Sequence, residues 1–220
     1  MKQSTRWSRR QVARLSLAGA TAALTGCGLA ALRVPPQLYT LTPKSTFRDN
    51  LPTVEWQLLV EPPVAAAGLD SLRIALQSSP LTLDYFADVA WTDRAPQMTQ
   101  TLIVESFENS GRIVSVGRES IGLRANYLLK TELREFQAEY AEGVTLVAPT
   151  VRVRINAKLV ETIGRTIIAG TNFEATTIAA DNRIGSIVMA FDDSLGKVMR
   201  RLIEWTLDSG EAHWRIRERT

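Results

Sequence analysis

The sequence predicts an α/β (α+β) domain in which an antiparallel-dominated sheet carries two principal helices on one face. From Val151 to Leu159 apolar residues alternate with polar ones, which indicates a strand with one buried and one solvated face. Residues 98–107 and 183–207 instead carry apolar residues at helical spacing. Packing both helical stripes on the apolar sheet face gives a two-layer domain, which we place at residues 54–208.

The N-terminus has the layout of a secretory signal, because five basic residues precede an apolar run from Leu15 to Leu24. The basic residues are Lys2, Arg6, Arg9, Arg10 and Arg14. Cys27 is the only cysteine and ends a tetrapeptide similar to a bacterial lipobox, in which cleavage leaves the cysteine as a lipid-bearing N-terminus. The tetrapeptide is Leu24, Thr25, Gly26 and Cys27. We therefore predict a lipoprotein signal peptide at residues 1–26 and lipidation of Cys27.

Two alternatives at the N-terminus stay open. No charge occurs from Leu15 to Leu32, so an uncleaved membrane helix is possible, although 18 residues are few for a span of about 20. The pair Arg9-Arg10 also resembles a twin-arginine signal, which leaves the export route undecided between that system and general secretion.

The charge of the remaining chain argues against a nucleic-acid partner. Removing the five basic residues of the signal from a total of 26 leaves 21 Lys and Arg against 23 Asp and Glu. The basic character of the whole sequence therefore belongs to its targeting segment, and no block of basic residues interleaved with aromatic ones follows it.

Residues 27–53 are predicted to be a lipidated N-terminus and a proline-containing tether, because they hold Pro35-Pro36, Pro43 and Pro52 and no sustained apolar period. Tyr39-Thr40-Leu41 is a short extended exception that could pair with a sheet edge. The next three predicted strands, of which the last two form a hairpin around Ser78-Ser79-Pro80, are Trp56–Val60, Leu72–Gln77 and Leu83–Trp91.

The first helix is predicted to be capped by Thr92 or Asp93, to carry Pro96 in its first turn and to stop at Asn109-Ser110-Gly111. A short strand at 113–116 and three long strands follow. The long strands are Tyr127–Tyr140, Pro149–Glu161 and Arg165–Thr177, the last two joined by a tight turn at residues 162–164.

The terminal helix is predicted from Arg183 to Leu207, with Asp181 or Asn182 as its cap. Phe173 in the last strand and Phe191 in this helix should both lie in the core between sheet and helix. The charged tail at residues 209–220 is expected to fray.

Residue chemistry gives little support for an enzyme. His213 is the only histidine, so a Ser-His-Asp triad has no other base and structural zinc has too few ligands. No phosphate-binding glycine motif occurs. Carboxylate pairs such as Asp192-Asp193 and Glu132 with Glu135 read best as solvated faces. We predict no enzymatic activity, no cofactor and no metal.

Several segments, in their order behind a lipobox, resemble the ABC-type transport auxiliary lipoprotein family. The segments are Leu38–Leu41, Leu58–Pro63, Leu72–Ala75, Leu83–Ala87, Val89–Trp91, Tyr127–Leu129 and Glu132–Phe136. The resemblance spans residues 38–207. It implies a periplasmic accessory subunit of a lipid transport system in which an ABC permease and an ATPase work with a mammalian-cell-entry (MCE) domain protein that carries the substrate. The resemblance brings no catalytic residue with it.

The expected mode of action is docking on the MCE-domain protein, with a possible homo-oligomer matching a ring-shaped partner. Candidate contact residues are Arg152, Arg154 and Lys158 on the solvated strand face, and the tail from Arg215 to Arg219. Gly28 follows the lipobox cysteine where an Asp would favour inner-membrane retention, so the outer membrane is preferred. An outer-membrane assembly or structural lipoprotein unrelated to ABC transport is the alternative, and a lipid-anchored hydrolase is a weaker one.

Overall fold

The structure is a computed structural model that describes residues 35–118, 125–141 and 147–219. Within these ranges it has nine strands and two helices. The strands are β1 Gln37–Tyr39, β2 Leu58–Val60, β3 Val64–Ala65, β4 Arg73–Ser79, β5 Thr82–Trp91, β6 Val116–Arg118, β7 Tyr127–Glu139, β8 Thr150–Glu161 and β9 Thr166–Ile178. The helices are α1 Ala95–Ser110 and α2 Ile184–Arg217. The architecture is α+β, as predicted.

The sheet is organised around β7, whose two edges differ. One edge pairs along its length with β8, which pairs in turn with β9, and both ladders are antiparallel. The other edge is shared by three short strands that all run parallel to β7: β2 at residues 127–129, β3 at 132–133 and β4 at 137–139. Beyond them, β5 pairs antiparallel with β4. Strand β1 pairs parallel with β5, and β6 pairs parallel with β2.

The prediction of an antiparallel-dominated sheet is therefore wrong in part, because five strand pairs are parallel and the sheet is mixed. A hairpin turn in the sequence predicts that the two strands flanking it pair antiparallel. Parallel neighbours are brought together by long connections, which leave no local signal. The three long strands and the β4–β5 hairpin are confirmed.

One hydrophobic core joins the sheet to both helices. The inward side chains of β7 and β8 are almost fully buried, and an aromatic cluster links them to α2. Phe191 lies 5.0 Å from Phe136 and 5.3 Å from Trp91 between ring centroids. Phe191 is 0% exposed, and Phe173 is 8% exposed against Trp205, so the prediction that both phenylalanines lie in the core is confirmed.

Helix α1 stops where the sequence predicts, because Gly111 takes the left-handed conformation with φ 61°. Its N-cap is Arg94, without a side-chain cap, so the predicted Thr92 or Asp93 cap is wrong. The N-cap of α2 is likewise Arg183. Asp181 instead accepts hydrogen bonds from the backbone N–H and guanidinium of Arg183, which tie the turn before the helix.

Helix α2 extends ten residues beyond its predicted end, so the expectation of a frayed tail is wrong through Arg217. The extra turns are stabilised by one ion pair to the sheet and one within the helix. Arg217 Nη1 lies 2.8 Å from Glu161 Oε1 on β8, and Arg215 Nε lies 2.7 Å from Glu211 Oε1 one turn earlier. Basic residues at a helix C-terminus also interact favourably with the helix dipole.

Residues 40–54, called the strap, cross both helices, so the predicted tether does not extend to residue 53. The Thr42 N–H donates to Asp192 Oδ1 on α2 at 2.7 Å, and the Lys44 N–H donates to Ser106 Oγ on α1 at 2.8 Å. Leu41 and Leu51 are each 4% exposed in the core. The compact unit accordingly begins near residue 36, not at residue 54.

Neither of the helices that the structure describes combines the length and the apolar composition needed to span a membrane.

Candidate functional site

The candidate site is the face of β7, β8 and β9 that points away from the helices. Strand alternation places polar residues there, and one part of it is a charged cluster built around two arginines. Arg152 Nε lies 2.8 Å from Glu139 Oε1 and 3.6 Å from Glu135 Oε2, and its Nη1 contacts Glu174. Arg154 Nη2 lies 2.5 Å from Glu135 Oε1. Hydrogen bonding to Glu139 raises the pKa of Arg152 above its usual range.

This charged cluster differs from the basic patch that the sequence predicts. The structure brings Arg152 and Arg154 together, but three glutamates surround them and leave a net negative charge. Lys158 lies apart from the two arginines, directly across from Lys130 on β7. Lys130 is itself paired with Glu61, whose two carboxylate oxygens are each 2.8 Å from Nζ.

A second part of the same face is apolar and lies beside Lys130 and Lys158. Four residues from neighbouring strands are in register across the sheet and form what we call the apolar row. Its members are Leu59 on β2, Leu128 on β7, Val160 on β8 and Ile167 on β9. Ile167 is 56% exposed, and Ile163 in the adjoining turn is 75% exposed, whereas Leu59 and Leu128 are half-buried and Val160 is 7% exposed.

Sequence reasoning missed the apolar row because each strand contributes one residue and the register joins them. Val160 gives a local signal, since an apolar residue follows Leu159 where the alternation calls for a polar one. Apolar residues at outward positions of several strands mark a surface that another molecule can cover.

His213 is part of the packing between α2 and β7. Its Nδ1 is hydrogen-bonded to the Tyr127 hydroxyl at 2.8 Å, and the two rings meet edge to face at 5.8 Å. Burial raises the pKa of Tyr127 to about 12, although the positive charge of Arg217 acts in the opposite direction. The pair ties the last turns of α2 to the start of β7.

The acidic pairs each have structural partners. Asp192 holds the strap through Thr42, and Asp193 Oδ2 lies 2.6 Å from Lys197 Nζ, which lowers the pKa of that carboxyl. Glu132 is paired with Arg134 at 2.8 Å. In residues 35–118, 125–141 and 147–219, no three His, Cys, Asp or Glu side chains converge in a way that could hold a metal ion.

The lipidation residue Cys27 and the rest of the lipobox, Leu24 to Gly26, lie outside the described residues.

The order of strands and helices can be compared with known proteins. The family model of the ABC-type transport auxiliary lipoprotein component matches residues 39–202. The chain belongs to this family. The match begins at the end of β1 and runs to the middle of α2, so it includes the mixed sheet, α1 and the strap.

A solved structure and a curated protein are similar to this chain over most of its length. The crystal structure of protein XCC0632 from Xanthomonas campestris is 30% identical, covers 81% of this chain and 99% of that chain, and superposes with a TM-score of 0.76. An uncharacterised protein of Bradyrhizobium diazoefficiens is 26% identical over 185 residues, or 84% of this chain. The chain spans about half the length of that relative, 47%.

A further crystal structure, of an uncharacterised protein, shares the fold at 12% identity with a TM-score of 0.61, covering 77% of this chain and 97% of that chain. The auxiliary lipoprotein therefore has a recurring scaffold, and its family description associates it with an ABC transporter.

Proposed function

We propose that this protein is a periplasmic, lipid-anchored accessory subunit of an MCE-type lipid ABC transport system and that it acts by docking, without turnover. The observation that carries the proposal is the family match over residues 39–202, which describes a lipoprotein component of ABC transport. The engagement of its carboxylates and its only histidine in structural contacts agrees with a binding role.

Anchoring depends on Cys27, which we propose is lipidated after removal of residues 1–26. Cys27→Ser should give an unlipidated protein that leaves the membrane fraction, which membrane fractionation with metabolic fatty-acid labelling measures. Membrane recovery of Cys27→Ser equal to that of the parent would contradict the lipid anchor.

The target membrane is proposed to be the outer one, because Gly28 follows the lipobox cysteine. Gly28→Asp is the matched variant, since it keeps the lipid and changes the residue that sorting reads. The parent should band with the outer membrane in a density gradient and Gly28→Asp should move toward the inner membrane. Inner-membrane banding of the parent itself would reverse this assignment.

The docking surface is proposed to be the helix-free face, where the apolar row lies beside Lys158. An apolar strip next to an unneutralised charge can give both contact area and orientation to a partner. Arg152 and Arg154 are kept as candidates for the rim of this contact, although their glutamate partners reduce the charge they present.

A pull-down of the MCE-domain protein, permease and ATPase from solubilised membranes tests the surface. Ile167→Asp and Lys158→Glu should each reduce recovery of these components. Met189→Asp is the matched control, because Met189 on α2 is 74% exposed and lies on the helix layer. Unchanged recovery with both strand variants would remove the helix-free face from the proposal.

The alternative is an outer-membrane assembly or structural lipoprotein unrelated to ABC transport. Failure of the parent protein to recover any transport component, with normal lipidation, would favour this alternative. Light scattering of the solubilised parent would show whether a homo-oligomer forms, as a ring-shaped partner would favour.

A further inference from the structure

The tip of the β4–β5 hairpin, residues 78–83, presents apolar side chains to solvent without any charge. Ser79 pairs with Thr82, so the turn consists of Pro80 and Leu81 alone. Leu81 is 96% exposed and Leu83 is 40% exposed. Two-residue hairpin turns usually carry Asn, Asp or Gly, so a fully exposed leucine at this position has no local structural reason.

The hairpin is uncharged over a long stretch. No charged residue occurs between Arg73 and Asp84, and the polar groups at the tip are hydroxyls. The hydroxyls are close enough to satisfy one another, with Ser78 Oγ 3.4 Å from Thr82 Oγ1 and Thr82 Oγ1 3.3 Å from Ser79 Oγ. A tip of this composition avoids the cost of placing a charge in a lipid environment.

The path of the chain brings this tip toward the N-terminal anchor. Strand β1 runs parallel to β5, with Gln37 opposite Val89 and Tyr39 opposite Trp91. Moving backward along β1 therefore follows β5 back toward Thr82. The chain therefore enters β1 from the end of the β1–β5 pair that is nearer to the tip.

The available length limits how far the tip can stand from the bilayer. Cys27 precedes Gln37 by ten residues, which reach at most about 35 Å when fully extended. Because β5 bulges between the partners of Arg73 and Ala75, the distance from Val89 to Thr82 is counted on β4, where it corresponds to about five residue steps or about 17 Å. If Cys27 carries lipid in a bilayer, the membrane surface can lie at most about 18 Å beyond the tip along this direction, and the tip reaches it when the segment is less extended.

We propose that the hairpin tip inserts Leu81 into the headgroup region of the bilayer that holds the lipid on Cys27. This inference rests on the proposed lipid anchor. One leucine would not hold a free protein on a membrane, but the anchor makes the contact intramolecular and its effective concentration high. The insertion would fix which end of the domain faces the membrane.

The β8–β9 turn is a built-in control, because it lies at the opposite end of β7. Tyr127 at the start of β7 is opposite Glu161 just before that turn, whereas Glu139 at its end is opposite Gln77 just before the hairpin tip. Ile163 in the control turn is 75% exposed. Each tip therefore carries an accessible apolar side chain, and only the tip of the β4–β5 hairpin is expected to meet lipid.

The test uses the full lipidated chain in vesicles of phosphatidylethanolamine and phosphatidylglycerol. The only native thiol belongs to Cys27 and is consumed by the lipid, so Leu81→Cys and Ile163→Cys each provide one site for a nitroxide label. Collision rates with oxygen and with a water-soluble nickel complex report whether each label lies in lipid or water. The label at 81 should be shielded from nickel several-fold more than the label at 163.

Four outcomes separate the possibilities. Chains that fail to float with vesicles would overturn the lipid anchor and this inference with it. Floating chains with equal nickel access at both positions would overturn the tip contact and leave the anchor standing. Shielding at 81 in the vesicle-free Cys27→Ser chain would indicate a second copy on the tip, and shielding that requires transporter components would indicate a protein partner. Either result would overturn the bilayer contact.

Discussion

The two faces of β7 and β8 are built from alternate residues of the same strands, yet one face forms the core and the other faces solvent. On the helix-covered face, Leu129, Leu133 and Val153 are at most 1% exposed. The helix-free face is formed by the residues that alternate with these core residues. It carries the charged cluster around Arg152 and the apolar row. Apolar burial contributes most of the stability of a domain, whereas exposed ion pairs contribute little. The free face can therefore vary with its partner at small cost to the fold.

Removing a ring from the covered face should have the largest effect on stability. Phe191→Ala deletes a fully buried ring that contacts Trp91 and Phe136, so the free energy of unfolding should fall by about 3–5 kcal/mol. Urea unfolding followed by circular dichroism measures this change. Asn172→Ala on the free face is the control and should stay within about 0.5 kcal/mol. A loss below about 1 kcal/mol for Phe191→Ala would contradict the assignment of the core.

High pH should loosen the covered face at Tyr127. An unfolded tyrosine loses its proton near pH 10, whereas burial raises the pKa of folded Tyr127 to about 12. Below pH 10 both states are protonated and the stability contribution is complete. It is lost as pH rises from 10 to 12, by an amount on the order of 2–3 kcal/mol.

Comparing the parent with Tyr127→Phe isolates this group from lysines and other tyrosines that titrate in the same range. The difference between the two unfolding free energies should change between pH 10 and pH 12 and stay constant from pH 7 to 9. A pH-independent difference across the whole range would show that the hydroxyl is solvated.

A methyl group added under α2 should reveal how closely that helix packs. A Cβ on Gly210 would lie 2.5 Å from Trp56 Cζ2, whereas a Cβ on Gly196 would find its nearest neighbour, Lys44 Cδ, at 3.9 Å. Overpacking costs about 1–3 kcal/mol, and replacing a helical glycine by alanine regains about 1. Gly210→Ala should thus lose up to about 2 kcal/mol, whereas Gly196→Ala should gain up to about 1 kcal/mol. Equal thermal shifts for the two variants would contradict the tight contact.

Local patterns predicted the covered face well. Alternation from Val151 to Leu159 identified the buried residues of β8, and helical spacing identified the core side of α2. Both depend on neighbours in sequence, whose geometry the periods 2 and 3.6 describe. The position of Phe191 in the core followed from the same periodicity.

The free face and the sheet order were less predictable because they depend on contacts between distant segments. Pairing of β2, β3 and β4 along one edge of β7 has no turn signal, and the strap at residues 40–54 read as a tether because its prolines outweighed the isolated Leu41 and Leu51. Likewise, Arg152 and Arg154 looked like free cations until the register placed Glu135 and Glu139 beside them. The sequence shows which residues are charged, but the strand register must be known before their ion-pair partners can be identified.

The smallest expected effect tests whether the charged cluster is a surface feature or a structural one. Arg152 contacts three glutamates and its side chain is 34% exposed. Arg152→Gln should cost about 1 kcal/mol or less at low salt, since exposed pairs are weak and the remaining carboxylates repel one another. About 0.5 M salt should reduce the cost, because the Debye length then falls to a few ångströms. The matched comparison is Val153→Ala, one residue along β8 and on the covered face, which should lose more stability with little dependence on salt.

Urea unfolding of both variants at low and high salt distinguishes a surface role from a structural one. If Arg152→Gln costs as much as Val153→Ala at both salt concentrations, the cluster holds the sheet together, and the free face is less available for docking than the proposed function requires.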